Sequence, residues 1–339
     1  MGVSFKDLVN GKLISLNDLK NKTLAVDTFN LLYQFLTTIR SPDGSLLTNS
    51  KGEVTSHLIG LFSRLVPFFE NGMKLIFVFD GKVPELKREE RERRKQAKHS
   101  AYEKYKTALE SEDIESMKKY AARSVVLNED ILNSAKELIQ LFGCPIVQAP
   151  MEGEAQAAHL VKKQDAYAVV SQDYDSLIYG APRFVKNLSL TGRKKKKGTL
   201  AYTITEPQLV TLSEVLNDLQ IDLDQLIVLA ILIGTDYDPK GVKGIGPKIG
   251  LKKVKEYGKD FDRLFGELEW IYPYSWKEVY NTIKNMGVTD DYSIKFKEID
   301  YNGLIDFLVK RHGFNEERVT NNLNKICTTK NQCSLNKFF

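Results

Sequence analysis

Apolar runs that each end on a carboxylate constrain this chain more than any other feature. Residues 23–26 end at Asp27, residues 75–79 at Asp80, and residues 166–171 lead into Asp173 and Asp175. Residues 145–150 lead into Glu152 and Glu154, and the longer run 226–233 precedes Asp236. Short apolar runs separated by amphipathic stretches argue β-α-β alternation. The fold class that follows is α/β, a mainly parallel twisted central sheet flanked by helices. In an open sheet of that kind, ligands bind outside the carboxyl ends of the strands. Acids at several of those ends therefore converge. Close carboxylates push each other's pKa upward and call for cations among them. All-oxygen donors favour magnesium, with manganese as a substitute. Any one of these acids fits equally well as a turn or helix N-cap residue. The set is what carries the metal reading.

Bulk composition excludes several classes. Lys+Arg 49 against Asp+Glu 44 gives a net charge of +5, too mild an excess to argue nucleic-acid binding by itself. The three cysteines, Cys144, Cys327 and Cys333, lack metal or disulfide spacing, which suits a reducing, intracellular compartment. No apolar run approaches the ~18 residues of a membrane span, and the first residues lack a signal-peptide pattern.

In chain order, residues 23–40 read as strand then helix, with Phe29, Leu32, Tyr33 and Leu36 on one stripe. Tyr33 either packs in the core or points out to stack on a base. Residues 54–70 and 128–142 read as amphipathic helices. The stretch from Lys87 to Lys98 has almost no apolar face. It reads as a helix held by Glu89–Arg93 and Glu90–Arg94 pairs, with Lys87, Arg91, Arg94 and Lys98 along one side. Solvation explains such a run. So does phosphate contact, because its cations start just after Asp80. Residues 183–206 read as a β-hairpin with Arg193 to Lys197 in its turn, and 206–258 as helical. Within the latter, the glycine hairpin around Gly244, Gly246 and Gly250 exposes amides that can grip a phosphate, with Lys248 and Lys252 following. It fits neither the Walker loop nor the dinucleotide fingerprint. Near the end, Leu335, Phe338 and Phe339 stand on one side of a short turn in a polar tail, as anchors for a partner's pocket.

Taken together, Val78-Phe79-Asp80-Gly81-Lys82, Ala149-Pro150-Met151-Glu152-Gly153-Glu154-Ala155, Ser171-Gln172-Asp173-Tyr174-Asp175 and Gly234-Thr235-Asp236-Tyr237 resemble the flap endonuclease family, in its archaeal form. So does Gly244-Ile245-Gly246-Pro247-Lys248, and the resemblance covers essentially the whole chain. It implies a structure-specific nuclease that cuts branched DNA near the base of a 5′ flap with two magnesium ions, with 5′-3′ exonuclease action beside it, in replication and repair. Asp27, Asp80, Glu152, Glu154, Asp173, Asp175 and Asp236 would be the metal-site acids. Lys87 and Arg94 would contact the scissile phosphate, Gly2 would lie near the metals, and Tyr33 would support a stacked base. Arg40, Thr55 and Phe314 would border a pocket for a one-nucleotide 3′ flap. The hairpin would hold duplex with a monovalent cation. Gln332, Leu335, Phe338 and Phe339 would form a sliding-clamp-binding peptide.

The implied layout is one nuclease domain over about 1–326, with an N-terminal region to about 98 and a helical arch at about 85–125. An internal region of about 116–258 carries a helix-hairpin-helix at about 226–258, and a flexible tail spans 327–339. The implied setting is a monomer in the cytoplasm of an archaeal-type cell. Two other readings stay open: a DNA-binding clamp adaptor without catalysis, which needs no acid set, and a magnesium-dependent phosphatase or RNA-cutting enzyme, which leaves the hairpin and tail without purpose.

Overall fold

The computed structural model describes residues 3–188, 192–195 and 202–335, with side chains over 3–188 and 205–326. Nine strands form two sheets among the described residues: β1 Lys12–Leu13, β2 Thr23–Asp27, β3 Lys74–Phe79, β4 Ile146–Gln148, β5 Ala168–Val170, β6 Arg183–Lys186, β7 Gly192–Lys195, β8 Tyr202–Thr205 and β9 Gln208–Thr211. The main sheet runs β1-β9-β6-β5-β2-β3-β4. Its five strands from β6 to β4 are all parallel. Strand β9 closes antiparallel on β6, and β1 on β9. The mainly parallel sheet expected from the sequence is therefore present.

The connections leave β2 in opposite directions. The chain steps from β2 outward through β3 to β4, then crosses back to place β5 and β6 on the other side of β2. Where strand order reverses in this way, the loops at the carboxyl ends part and leave a crevice. Register fixes which residues rim it: Val26 lies opposite both Phe77 and Val170, so Asp27 ends level with the exits of β3 and β5.

Both sheet faces are covered, which is why its strands read as continuous apolar runs. Ala25, Ile76, Val78, Val147 and Val169 face one core; Leu24, Val26, Leu75, Phe77 and Val170 face the other. Helices α1 Thr28–Thr38, α2 Ser56–Glu70 and α5 Glu129–Leu141 pack on the second face. Helices α6 Gly153–Lys162 and α9 Leu223–Ile233 pack on the first. Between them, α3 Arg88–Glu110 and α4 Ile114–Arg123 pack on one another, and only Glu90, Ala101 and Ala108 of α3 are buried. A short α7 Asp175–Ile178 and α8 Leu212–Leu219 precede α9, and α10 Pro247–Tyr257 follows it. The long C-terminal helix covers Glu316–Leu335. No described helix is long and apolar enough to cross a membrane.

Three expectations change. Residues 183–206 are not one hairpin: β6 pairs with β9 inside the main sheet, and β7 pairs with β8 as a separate ribbon. Residues Arg193 to Lys195 thus lie on strand β7, while Lys196 and Lys197 fall outside the described residues. The stretch 206–258 opens with strand β9, which is held in the sheet by β6 on one side and β1 on the other. On α1 the buried stripe is Leu31, Leu32, Phe35 and Leu36, leaving Phe29 and Tyr33 half-buried at its margin.

Candidate active site

The crevice gathers the predicted acids, which are held by backbone amides, side-chain donors and two cations. Asp27 caps α1, accepting the Asn30 amide at 3.1 Å, and is 6% exposed. Asp80 follows β3 and accepts the Gly153 amide at 2.7 Å. Glycine is required at that point, because a Cβ on residue 153 would stand 2.5 Å from Asp80 Oδ1. Asp173 accepts from the Asn30 side chain at 2.8 Å, and Asp175 from the Val3 amide at 2.6 Å. Ser171 Oγ lies 3.1 Å from both Asp27 Oδ2 and Glu154 Oε1. One hydroxyl proton serves one carboxylate at a time. The second contact is a hydrogen bond only when that carboxyl carries a proton.

The convergence has an electrostatic consequence. Burial, then the neighbouring Asp80, pushes Asp27 up to about 7. Burial, then Glu152, pushes Asp80 up to about 6. Burial, then Asp236, pushes Asp175 up to about 7. Burial, then Asp175, Asp27 and Asp173, holds Glu154 well above the usual carboxylate range. Acids from five separate stretches of chain thus feel one another's charge.

Two cations from the start of the polar helix meet this cluster. Lys87 Nζ lies 2.7 Å from Glu152 and 3.3 Å from Asp236, above the Tyr237 ring at 5.1 Å. Burial alone would lower its pKa, but Glu152, Tyr237 and Asp236 raise it by more. Arg94 Nη2 lies 2.6 Å from Asp236, while its Nε is held by Glu90 at 2.7 Å. Burial pushes Asp236 up, yet Lys87 and Arg94 together leave it below the usual range. Among the described residues no group of three or more His, Cys, Asp or Glu is already drawn together as a cage for one metal ion. The donor set itself, all carboxylate oxygen and strongly self-repelling, fits a hard divalent cation.

The remaining predicted residues lie apart from the acids or outside the described chain. Tyr33 lies under Lys98, whose Nζ is 2.7 Å from the hydroxyl and 4.6 Å from the ring centre. Arg40 donates to the Gly44 carbonyl at 2.6 Å, and Thr55 is buried. Their loop meets the 311–314 turn, where His312 approaches Glu53 at 3.8 Å. In the hairpin, Gly244 has φ +80, and Gly246 is the N-cap of α10 with Pro247 next. A Cβ at Gly244 or Gly246 would meet nothing within 4 Å, and Lys248 and Lys252 are exposed. Gly2, Phe338 and Phe339 fall outside the described residues; Gln332 and Leu335 are described in backbone only, as a continuation of the C-terminal helix beyond the expected boundary at 327. No helix breaker separates 326 from 335.

Sequence reasoning missed Asn30, Ser171 and Gly153, which aim the acids, and Tyr237, which underlies Lys87. Asn30 had a signal, since it stands three residues after a predicted N-cap. The Glu89–Arg93 pair is replaced: Glu90 takes both Arg93, at 2.6 Å, and Arg94.

Comparison with known proteins finds relatives along nearly the whole chain. The XPG N-terminal domain matches residues 3–101 and the XPG I-region residues 143–236. Flap endonuclease 1 of Pyrococcus abyssi is 49% identical over 96% of this chain and 94% of its own length. That of Thermococcus onnurineus is 47% identical over the same shares. Among solved structures, flap endonuclease-1 from Methanococcus jannaschii superposes with TM-score 0.75 at 44% identity, covering 97% of this chain and 98% of its own. The catalytic core of Rad2 in complex with DNA substrate superposes with TM-score 0.72 at 23% identity, over 96% and 100%, a likeness of fold.

The raised carboxylates predict a pH signature in buffer free of divalent ions. A folded-state pKa of about 7 for Asp27, against an unperturbed 3.8, makes the folded form bind the extra proton. Asp27 therefore removes stability as pH rises from about 4 to about 7. Buried His57, held down at about 3 by burial first and His312 second, acts with the opposite sign below its unfolded pKa. The diagnostic quantity is thus a difference. Urea unfolding should show Asp27→Asn gaining stability over wild type progressively across that window, by on the order of a few kcal/mol at its top. A difference that does not change with pH would show that Asp27 ionises freely.

Proposed function

The chain belongs to the flap endonuclease family, and from that premise we propose that the carboxylate crevice is its two-metal hydrolytic centre. It is a structure-specific 5′ nuclease and a DNA-hydrolysing enzyme. The observation that carries the site assignment is the convergence of Asp27, Asp80, Glu154 and Asp175, each displaced toward the protonated form, beneath Lys87 and Arg94. Asp27, Asp80, Glu152, Glu154, Asp173, Asp175 and Asp236 would hold two magnesium ions, with manganese able to replace them. When bound, such a pair supplies the Lewis acidity that activates water and stabilises a leaving oxygen.

The chain's own residues do the rest. Asn30, Ser171, Gly153 and the Val3 amide hold the acids at fixed angles, so little reorganisation is left for the reaction. Lys87 and Arg94 exchange Glu152 and Asp236 for the scissile phosphodiester, where their charge offsets what develops in the transition state. Drawing that linkage out of paired DNA costs a few kcal/mol, least at a junction. Preference for a junction follows, and the family supplies the 5′ polarity and the 5′-3′ exonuclease action. The helices α3 and α4, over about 85–125, flank the single strand, and Tyr33 supports a stacked base. Gly2 would lie near the metals, and Arg40, Thr55 and Phe314 would border the short 3′ flap. Gly244, Gly246, Lys248 and Lys252 grip duplex phosphates at the start of α10, with a monovalent cation. Residues 1–326 form the nuclease domain. Gln332, Leu335, Phe338 and Phe339 dock on a sliding clamp, and the setting is the cytoplasm of an archaeal-type cell.

Three experiments test this. Asp173→Ala should bind a 5′-flap DNA at near wild-type affinity yet lose cleavage by about 100-fold or more, and EDTA should reproduce the loss. Persisting cleavage would refute the assignment. Lys87→Ala should lower kcat more than it alters KM, because its contact is made in the transition state; a KM effect alone would move Lys87 to substrate docking. Deleting residues 332–339 should abolish stimulation by the clamp and leave clamp-free cleavage intact. A loss of clamp-free cleavage would place the tail in the folded body.

A further inference from the structure

The opposite end of the sheet carries a second charged feature. A cleft of about 580 Å³ opens where β2, β5 and β6 begin, lined by Lys22, Lys162, Asp165, Tyr167 and Arg183 among others. Three cations face it. The Arg183 guanidinium stacks on the Tyr167 ring at 4.5 Å, and its Nε donates to the Tyr167 carbonyl at 2.7 Å. That double hold fixes the side chain and leaves its two terminal nitrogens as a fork. Lys22 Nζ sits over the same ring at 4.9 Å. The Lys162 ammonium lies against the Gly180 turn, where a Cβ would come within 2.9 Å of it. No carboxylate pairs with these three among the described residues. The one acid in the wall, Asp165, already accepts the Tyr292 hydroxyl at 2.6 Å.

We propose that this cleft is an anion site that takes a phosphate group. Three cations line one concave surface without a carboxylate partner, and an anion bound there would neutralise them. A pre-oriented guanidinium fork flanked by ammonium groups matches phosphate oxygens. The volume lies within the range of sites for nucleotide-sized ligands. Because cations cover the Tyr167 ring, no base stacks there, and recognition is by charge and indifferent to the base. The ligand is thus a di- or triphosphate, or one phosphate of a nucleic-acid strand. The site is separate from the acid crevice, which lies at the other ends of β2 and β5.

Thermal unfolding of the full chain in EDTA, at constant ionic strength, tests it with inorganic pyrophosphate. The melting temperature of the wild type should rise saturably, and Lys162→Gln and Arg183→Gln should each weaken that response by about tenfold. Lys162→Gln guards against misfolding, since the Lys162 side chain makes no hydrogen bond that the fold requires. No saturable rise, or an equal rise in both variants, overturns the proposal. Cleavage kinetics on branched DNA with short and long duplex arms then separate the sources. A KM raised for long arms alone identifies a strand phosphate. An unchanged KM, with a nucleoside triphosphate giving the same variant-sensitive shift, identifies a free one. A KM raised equally for both arms assigns the residues to the reaction itself and overturns the proposal.

Discussion

Repulsion between buried carboxylates is the constraint on which the rest of this structure depends. Acids brought together at the carboxyl ends of neighbouring strands favour scattering, so each must be held. Backbone amides from Val3 and Gly153, the Asn30 side chain and the Ser171 hydroxyl provide those holds. The holds in turn need a rigid base, which two apolar cores on opposite faces of the sheet supply. A well-packed sheet is thus what allows an unfavourable charge arrangement to persist, a common trade at functional sites.

The polar helix α3 is organised by the same charges. With three buried residues it gains little from packing, and its first turns depend on Glu90, 7% exposed, which ties Arg93 and Arg94. Lys87 and Arg94 then bind this end of the helix to Glu152 and Asp236. Whatever neutralises those two acids competes directly with the anchor of α3. Helix order and charge in the crevice are therefore coupled through two side chains, without any chain of intermediates.

The acids and the parallel sheet were legible in sequence because both repeat: one apolar run after another, each closed by a carboxylate. The residues that aim the acids were not, since Ser171 and Asn30 look like any polar residue until strands 144 positions apart are set side by side. The pairing of β6 with β9 was hidden for a related reason. A sequence shows neighbours, and the nearest strand-like stretch invited a hairpin, whereas β6 took the later strand β9 as its partner. On α3, Glu89 and Glu90 had equal claims to Arg93 by spacing. Burial at the base of the helix decided for Glu90.

Parallel strands also explain why the net charge said so little. Every strand from β6 to β4 points the same way, so the sheet has two chemically distinct ends. Carboxylates cluster at the ends where β2, β3 and β5 finish, and Lys22, Lys162 and Arg183 at the ends where β2, β5 and β6 start. The net charge of +5 sums every charged residue of the chain and hides this separation. A phosphate near the molecule meets neither average. At the acid pole it is drawn in only through Lys87 and Arg94 or a bound cation, which makes that pole selective for a correctly placed backbone. At the basic pole attraction needs no such intermediary.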